Sequence, residues 1–115
     1  PLYTYFGNCI VDGKLTNEIS LDLKTSLTPT VVFSNCWIKT TADVTDANRF
    51  VNVKKESTSL TYKDLGKYDF EPDGDTRVKG FVHPKALADA ALFPVDIKNT
   101  PRNTASVTAG AYEMP

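Results

Sequence analysis

The sequence predicts an all-β fold, an antiparallel β-sandwich or small barrel of about seven to nine short strands with one short helix near residues 86–93. Strong turn signals such as Asp12-Gly13 and Pro72-Asp73-Gly74 divide the chain. β-branched and aromatic residues fill the segments between them. Glu18–Lys24 alternates polar and apolar residues, which indicates a sheet with one solvated face and therefore antiparallel pairing.

Thr30–Thr41 is the strongest strand prediction, because it holds the single Trp, one of two Cys and the densest apolar run. We expect one central strand that is covered on both sides. Its two faces would carry Val31, Phe33 and Trp37 on one side and Val32, Cys36 and Ile38 on the other.

The helix prediction rests on the Ala- and Leu-rich segment Ala86–Phe93, which lies between two prolines. Such a short helix must dock on the sheet, since it is too short to be stable alone.

Residues 1–98 form the predicted sandwich domain, and 99–115 form an extended C-terminal strand or tail. We identify no internal repeat. Further strands are predicted at Leu2–Val11, Arg49–Lys55, Ser59–Tyr62, Tyr68–Glu71, Thr76–Val82, Val95–Lys98 and Ser106–Tyr112.

The composition excludes several classes of protein. The 115 residues are 41% hydrophobic and 23% charged, which is typical of one globular domain. A net charge of −1 argues against a general nucleic-acid binder. The sequence contains neither a long apolar run nor a charged-then-apolar leader, so we expect no membrane association and a location in a virion or in the cytoplasm of synthesis.

The residues with reactive side chains form no recognisable catalytic set. His83 is the only His, and neither a nucleophile elbow nor a phosphate-binding glycine loop is present. Cys9 and Cys36 match no CxxC motif, which leaves a disulfide or two free buried thiols as alternatives. We therefore assign no catalytic, cofactor or metal residue and predict that the protein is not an enzyme.

Four alternating carboxylates are the one pattern that suggests a cation. Clustered carboxylates can hold Ca²⁺, but here the spacing differs from that of the twelve-residue calcium loop. The Pro-Asp-Gly turn within the segment explains the residues without a metal. The four residues are Asp69, Glu71, Asp73 and Asp75.

The first functional hypothesis is a structural or assembly protein that binds itself or a larger protein lattice as a homo-oligomer. Abundant Thr and Asn with an all-β pattern and no catalytic set are typical of small virion proteins, so capsid decoration is the specific case. Tyr3, Tyr5 and Tyr112 are the predicted partner-binding residues. The alternative is a carbohydrate- or ligand-binding β-sandwich whose exposed tyrosines form an aromatic platform. Its candidate residues are Tyr3, Tyr5, Tyr62, Tyr68 and Tyr112.

Overall fold

The computed structural model describes residues 3–22 and 31–115. Within them lie eight short strands, two 3₁₀ helices and one α-helix. The 3₁₀ helices are Leu65–Lys67 and Thr76–Val78, and the α-helix, α1, is Pro84–Leu92. The strands are β1 (Thr4–Gly7), β2 (Ile10–Val11), β3 (Val31–Ser34), β4 (Trp37–Lys39), β5 (Phe50–Val51), β6 (Lys54–Glu56), β7 (Tyr62–Asp64) and β8 (Asp69–Pro72).

Two parallel sheets organise the first half of the chain. Sheet A contains β1, β3 and β5 in that order, and sheet B contains β2, β4 and β6. The chain passes from sheet A to sheet B three times, and each passage stacks in register on the next. These passages are three coils of a short parallel β-solenoid: coil 1 (β1 and β2), coil 2 (β3 and β4) and coil 3 (β5 and β6).

An asparagine forms the corner between the two sheets in every coil. Asn8, Asn35 and Asn52 have φ angles of 55°, 58° and 52°. Asn tolerates this left-handed conformation better than other residues that have a Cβ, because its short polar side chain bonds locally. In the stack, the Asn52 amide donates to the side-chain oxygen of Asn35 at 3.0 Å. The repeated corner therefore keeps the coils in register.

A column of phenylalanines fills the inside of the solenoid. Phe33 stacks on Phe6 with ring centroids 4.9 Å apart and on Phe50 at 5.6 Å. Cys36 and Ile38 are fully buried beside this column. We call this cluster of buried side chains the inner core, and it stabilises the coils by removing apolar surface from water.

The outward face of sheet B carries a second cluster, the outer core. Trp37 is fully buried there, because it packs beneath the C-terminal half of the chain rather than inside the solenoid. The Arg77 guanidinium lies 5.4 Å from the centre of the Trp37 ring. The buried members of the outer core are Trp37, Leu60, Val78, Phe81, Ala86, Ala90, Val107 and Ala109.

The C-terminal half folds back over sheet B. Strands β7 and β8 form an antiparallel hairpin, and Phe81 bridges Val107 in antiparallel orientation. Residues 99–115, assigned from sequence to a separate strand or tail, contribute Val107 and Ala109 to the outer core. The Asp96 carboxylate accepts hydrogen bonds from the backbone of Lys98, Thr100 and Glu113, which fastens this segment.

The prediction of an antiparallel sandwich or barrel is wrong, since sheets A and B are parallel and the β7–β8 hairpin is the only antiparallel sheet in the part of the chain that the structure describes. Parallel strands need long return connections, and these join β2 to β3 and β4 to β5. The single helix at Pro84–Leu92 lies close to its predicted position. The assignment of no internal repeat is also wrong, because Phe-x-Asn occurs once in each coil.

The predicted central strand at Thr30–Thr41 divides into β3 and β4 at Asn35. The bend places Phe33 in the inner core and Trp37 in the outer core, whereas a straight strand would have put both on one face. In Glu18–Lys24, residues 18–22 form no strand, although Ile19 joins the inner core. Four residues of predicted strands lie outside the described ranges: Leu2, Leu23, Lys24 and Thr30.

Candidate functional site

The solenoid has an open edge at coil 1. Among the described residues, strand β1 is the terminal strand of sheet A and pairs with β3 on one side only. Phe6, which belongs to the inner column, is 39% exposed, whereas Phe33 beneath it is 4% exposed. One face of the Phe6 ring is therefore exposed to solvent, whereas the corresponding Phe rings of coils 2 and 3 are covered. We call β1 and the exposed Phe6 ring the open end.

The open end lacks the usual devices that protect a sheet edge. Residues 3–11 contain no charged residue and no proline. Natural edge strands are commonly guarded by Lys, Pro or bulges, since an unguarded edge pairs with other strands. The opposite end of the solenoid is guarded: β6 carries Lys54, Lys55 and Glu56, and Phe50 is only 8% exposed.

The C-terminal segment covers coil 1 at its corner. The Gly110 N–H donates to the Asn8 carbonyl at 2.7 Å. Gly110 has a φ of 90°, and a Cβ there would lie 2.7 Å from Cδ1 of Ile10, so only glycine allows this approach. The contact involves the corner and β2, and does not extend to the hydrogen-bonding edge of β1.

Tyr3 and Tyr5, two predicted partner-binding residues, lie at the open end. The Tyr5 hydroxyl donates to the Asp89 carboxylate of α1 at 3.2 Å, and Lys85 lies 5.3 Å from the Tyr5 ring centre. Partial burial raises the pKa of Tyr5. The ring is thus held in place while Tyr3 stays exposed.

Tyr112, the third predicted residue, lies apart from the other two. It lines a cleft of about 480 Å³ with Phe70 and Tyr62 of the hairpin. A second cleft of about 380 Å³ lies between Tyr5, Phe93 and Arg102. Asn8 and Gly110 line both clefts, so the covered corner of coil 1 separates Tyr112 from the open end.

Two of the four alternating carboxylates, Glu71 and Asp75, form ion pairs. Glu71 binds Lys63 at 2.9 Å and Lys98 at 3.0 Å. Asp75 binds Arg77 at 2.7 Å, and this partner lowers the pKa of Asp75 to about 2. Within residues 3–22 and 31–115, no group of three or more His, Cys, Asp or Glu could hold a metal ion.

The remaining reactive side chains have structural surroundings. His83 is the N-cap of α1, and its Nδ1 accepts the Lys85 N–H at 3.2 Å. Cys9 and Cys36 are free thiols stacked in adjacent coils. The hydrogen bond between them lowers the pKa of Cys9 to about 7, whereas the same bond together with burial raises the pKa of Cys36. A buried thiol with a raised pKa is a poor nucleophile.

Phe6 is the site residue that sequence reasoning missed. The signal was available in three related segments, Phe6-Gly7-Asn8-Cys9, Phe33-Ser34-Asn35-Cys36 and Phe50-Val51-Asn52-Val53. The interval between the first two is longer than that between the last two, so a search for a fixed period overlooks them. Recognising the repeat would have indicated stacked coils and a first coil with one face uncovered.

No known protein family, curated protein or solved structure matches this chain. In the part of the chain that the structure describes, the helices are too short and too polar for any of them to cross a membrane.

Proposed function

We propose that this protein is a non-enzymatic structural component that self-associates through the open end. Two copies meet about a two-fold axis, and their β1 strands pair antiparallel to join two copies of sheet A into one sheet. A two-fold interface uses the same patch on both copies, which a single open edge supplies. The observation that carries the proposal is the exposed Phe6 ring above an otherwise buried column.

The chemistry of the edge supports pairing. The strand Thr4–Gly7 has two aromatic residues and no charge that would have to be desolvated. Pairing would bury the free face of Phe6 and bring Tyr3 to the rim of the interface. Tyrosine suits such a rim, because its ring is apolar and its hydroxyl remains hydrated.

The difference between the two ends of the solenoid favours a two-fold arrangement over a head-to-tail one. A head-to-tail stack would press the open end of one copy against coil 3 of the next. Phe50 is already covered there, and Lys55 is exposed on β6. Two open ends, in contrast, offer matching apolar surfaces. A larger lattice such as a capsid stays a prediction from composition.

The test is the molar mass in solution, measured by light scattering from micromolar to millimolar protein. We expect the wild type to form dimers as the concentration rises. Phe6→Lys places a charge on the edge and should leave a monomer. Leu92→Lys is the matched control, because it introduces the same charge at an exposed apolar position of α1 and should still dimerise.

Circular dichroism and the melting temperature of each variant must show a folded chain before its mass is interpreted. A wild type that remains monomeric at every concentration would contradict the proposal, as would a Phe6→Lys variant that dimerises like the wild type.

A further inference from the structure

A third cleft, larger than the two beside Tyr112 and Tyr5, lies between the start of the first return connection and the β7–β8 hairpin. Its volume is about 750 Å³, which is enough for several sugar units. Three of its lining residues are aromatic, and three carry charges. The lining that matters here consists of Asp12, Lys14, Lys39, Tyr62, Tyr68 and Phe70.

The aromatic wall of this cleft is unusually exposed. Tyr68 is 81% exposed and has φ 58° and ψ 28°, a left-handed conformation that an aromatic residue rarely adopts. Glycine would fit that backbone without strain, so the ring is held outward at a cost to stability. Phe70 is also exposed, and it meets Tyr62 edge to face with centroids 6.0 Å apart.

The floor of the cleft contains a nearly buried ammonium group. Lys39 is 8% exposed, and its Nζ donates to the Gly13 carbonyl and to the Ser59 hydroxyl, both at 2.8 Å. An ammonium has three N–H donors, so one donor has no acceptor among the described residues. Lys39 forms no ion pair with any carboxylate of residues 3–22 and 31–115.

The one carboxylate in the lining already accepts three hydrogen bonds. Asp12 accepts the Gly13 N–H on Oδ1, and the Leu60 N–H and Tyr62 hydroxyl on Oδ2. It therefore orients Tyr62 and the cleft wall, and its capacity to accept from a ligand is reduced. Lys14 adds a second ammonium to the lining. The cleft as a whole offers hydrogen-bond donors and an excess of positive charge.

We propose that this cleft binds an acidic oligosaccharide. The apolar faces of sugar rings stack on Tyr68 and Phe70, and a carboxylate of the sugar accepts from Lys39 and faces Lys14. The adjoining cleft beside Tyr112, which shares Asp12, Tyr62 and Phe70 with the first, extends the groove for further units. This binding site is distinct from the open end and does not require self-association.

The probe is a tetrasaccharide of alternating glucuronic acid and N-acetylglucosamine, titrated by calorimetry and by NMR of the labelled protein. The neutral control is a tetrasaccharide of N-acetylglucosamine alone. We expect the acidic probe to bind at least tenfold more tightly, with binding that weakens as salt is raised. Chemical-shift changes should centre on Tyr62, Tyr68, Phe70 and Lys39.

Tyr68→Gly is the decisive variant, because stability and binding should move in opposite directions. Relief of the left-handed strain should raise the melting temperature by a few degrees, whereas loss of the ring should weaken binding at least tenfold. Phe93→Ala removes an exposed ring that lines neither of these two clefts and should leave binding unchanged. Lys39→Met keeps the length of the side chain and should abolish the preference for the acidic probe.

Three results would overturn the proposal: no binding of either probe at millimolar concentration, equal binding of both probes, or full binding by Tyr68→Gly. None of these depends on the molar mass, so this site and the open end are tested independently.

Discussion

The stacked phenylalanine column predicts how the stability cost of a Phe-to-Ala substitution depends on its position within the solenoid. Phe33 contacts a ring on both sides, at 4.9 Å and 5.6 Å, and is 4% exposed. Phe6 has one ring neighbour and is 39% exposed. The same substitution, Phe to Ala, should therefore cost much more at the middle of the column than at its open end.

The magnitude follows from burial and stacking. Truncating a buried Phe to Ala costs about 3–5 kcal/mol, because the transfer free energy of the ring is lost and a cavity remains. Phe33→Ala should lie near the top of that range, since it also removes two aromatic contacts of about 0.5–1.5 kcal/mol each. Phe6→Ala should cost about 1–2 kcal/mol, because much of its ring is already in water and the site has solvent on one side.

The assay is urea unfolding followed by circular dichroism, at a protein concentration where light scattering shows a monomer. The free energy of unfolding for a domain of this size is about 6–17 kcal/mol, so Phe33→Ala should remain measurable. Phe33→Leu, which refills much of the cavity, serves as the graded control and should recover about half of the loss. Equal costs at positions 6 and 33 would refute the stacked column, as would a Phe33→Ala variant as stable as the wild type.

Two further predictions concern the ion pair and the Asn corner. Arg77 holds the pKa of Asp75 at about 2, below its usual value. The stabilisation from Asp75 should therefore be complete above about pH 4 and disappear as the pH falls toward 2. The melting temperatures of the wild type and of Asp75→Asn should accordingly converge at acid pH. Asn35→Ala should cost about 3 kcal/mol by urea unfolding, since it removes bonds to Ser34 and Asn52 and strains the left-handed backbone, whereas Asn35→Gly should cost roughly half as much because glycine accepts that φ. Constant separation of the two melting curves at all pH values, or equal costs for the two Asn35 substitutions, would contradict these predictions.

The local elements were more predictable than their arrangement. The Ala- and Leu-rich segment between Pro84 and Pro94 predicts the helix, and Pro72-Asp73-Gly74 marks the end of the hairpin. The strands of the solenoid have two to four residues, which is too few for a period-two pattern to distinguish parallel from antiparallel pairing. What determines parallel stacking is the repeated Phe-x-Asn corner, and its unequal spacing conceals it in the sequence.

The candidate sites likewise combine residues that the sequence predicts with features that depend on the arrangement of the fold. Tyr3 and Tyr5 could be proposed as contact residues from their side chains alone, and the structure places both at the open end. The exposure of Phe6 follows only once the Phe-x-Asn repeat is recognised, because it depends on β1 being the terminal strand of its sheet. The aromatic cleft was equally hidden, since it is formed by the left-handed turn at Tyr68 and by the long-range bond from Tyr62 to Asp12.

The C-terminal segment covers the corner of coil 1 but not the open end. A solenoid is a one-dimensional stack in which each coil is stabilised by its neighbours, so both terminal coils need protection. Coil 3 is protected by charged residues and by Ala42 and Val44 of the preceding loop, which pack on the inner core. At coil 1, Gly110 covers the corner but stops before β1. Within residues 3–22 and 31–115, three of the four terminal strands are thus protected, and the edge of uncharged, aromatic β1 is left free, which is the arrangement expected if β1 is completed by another strand.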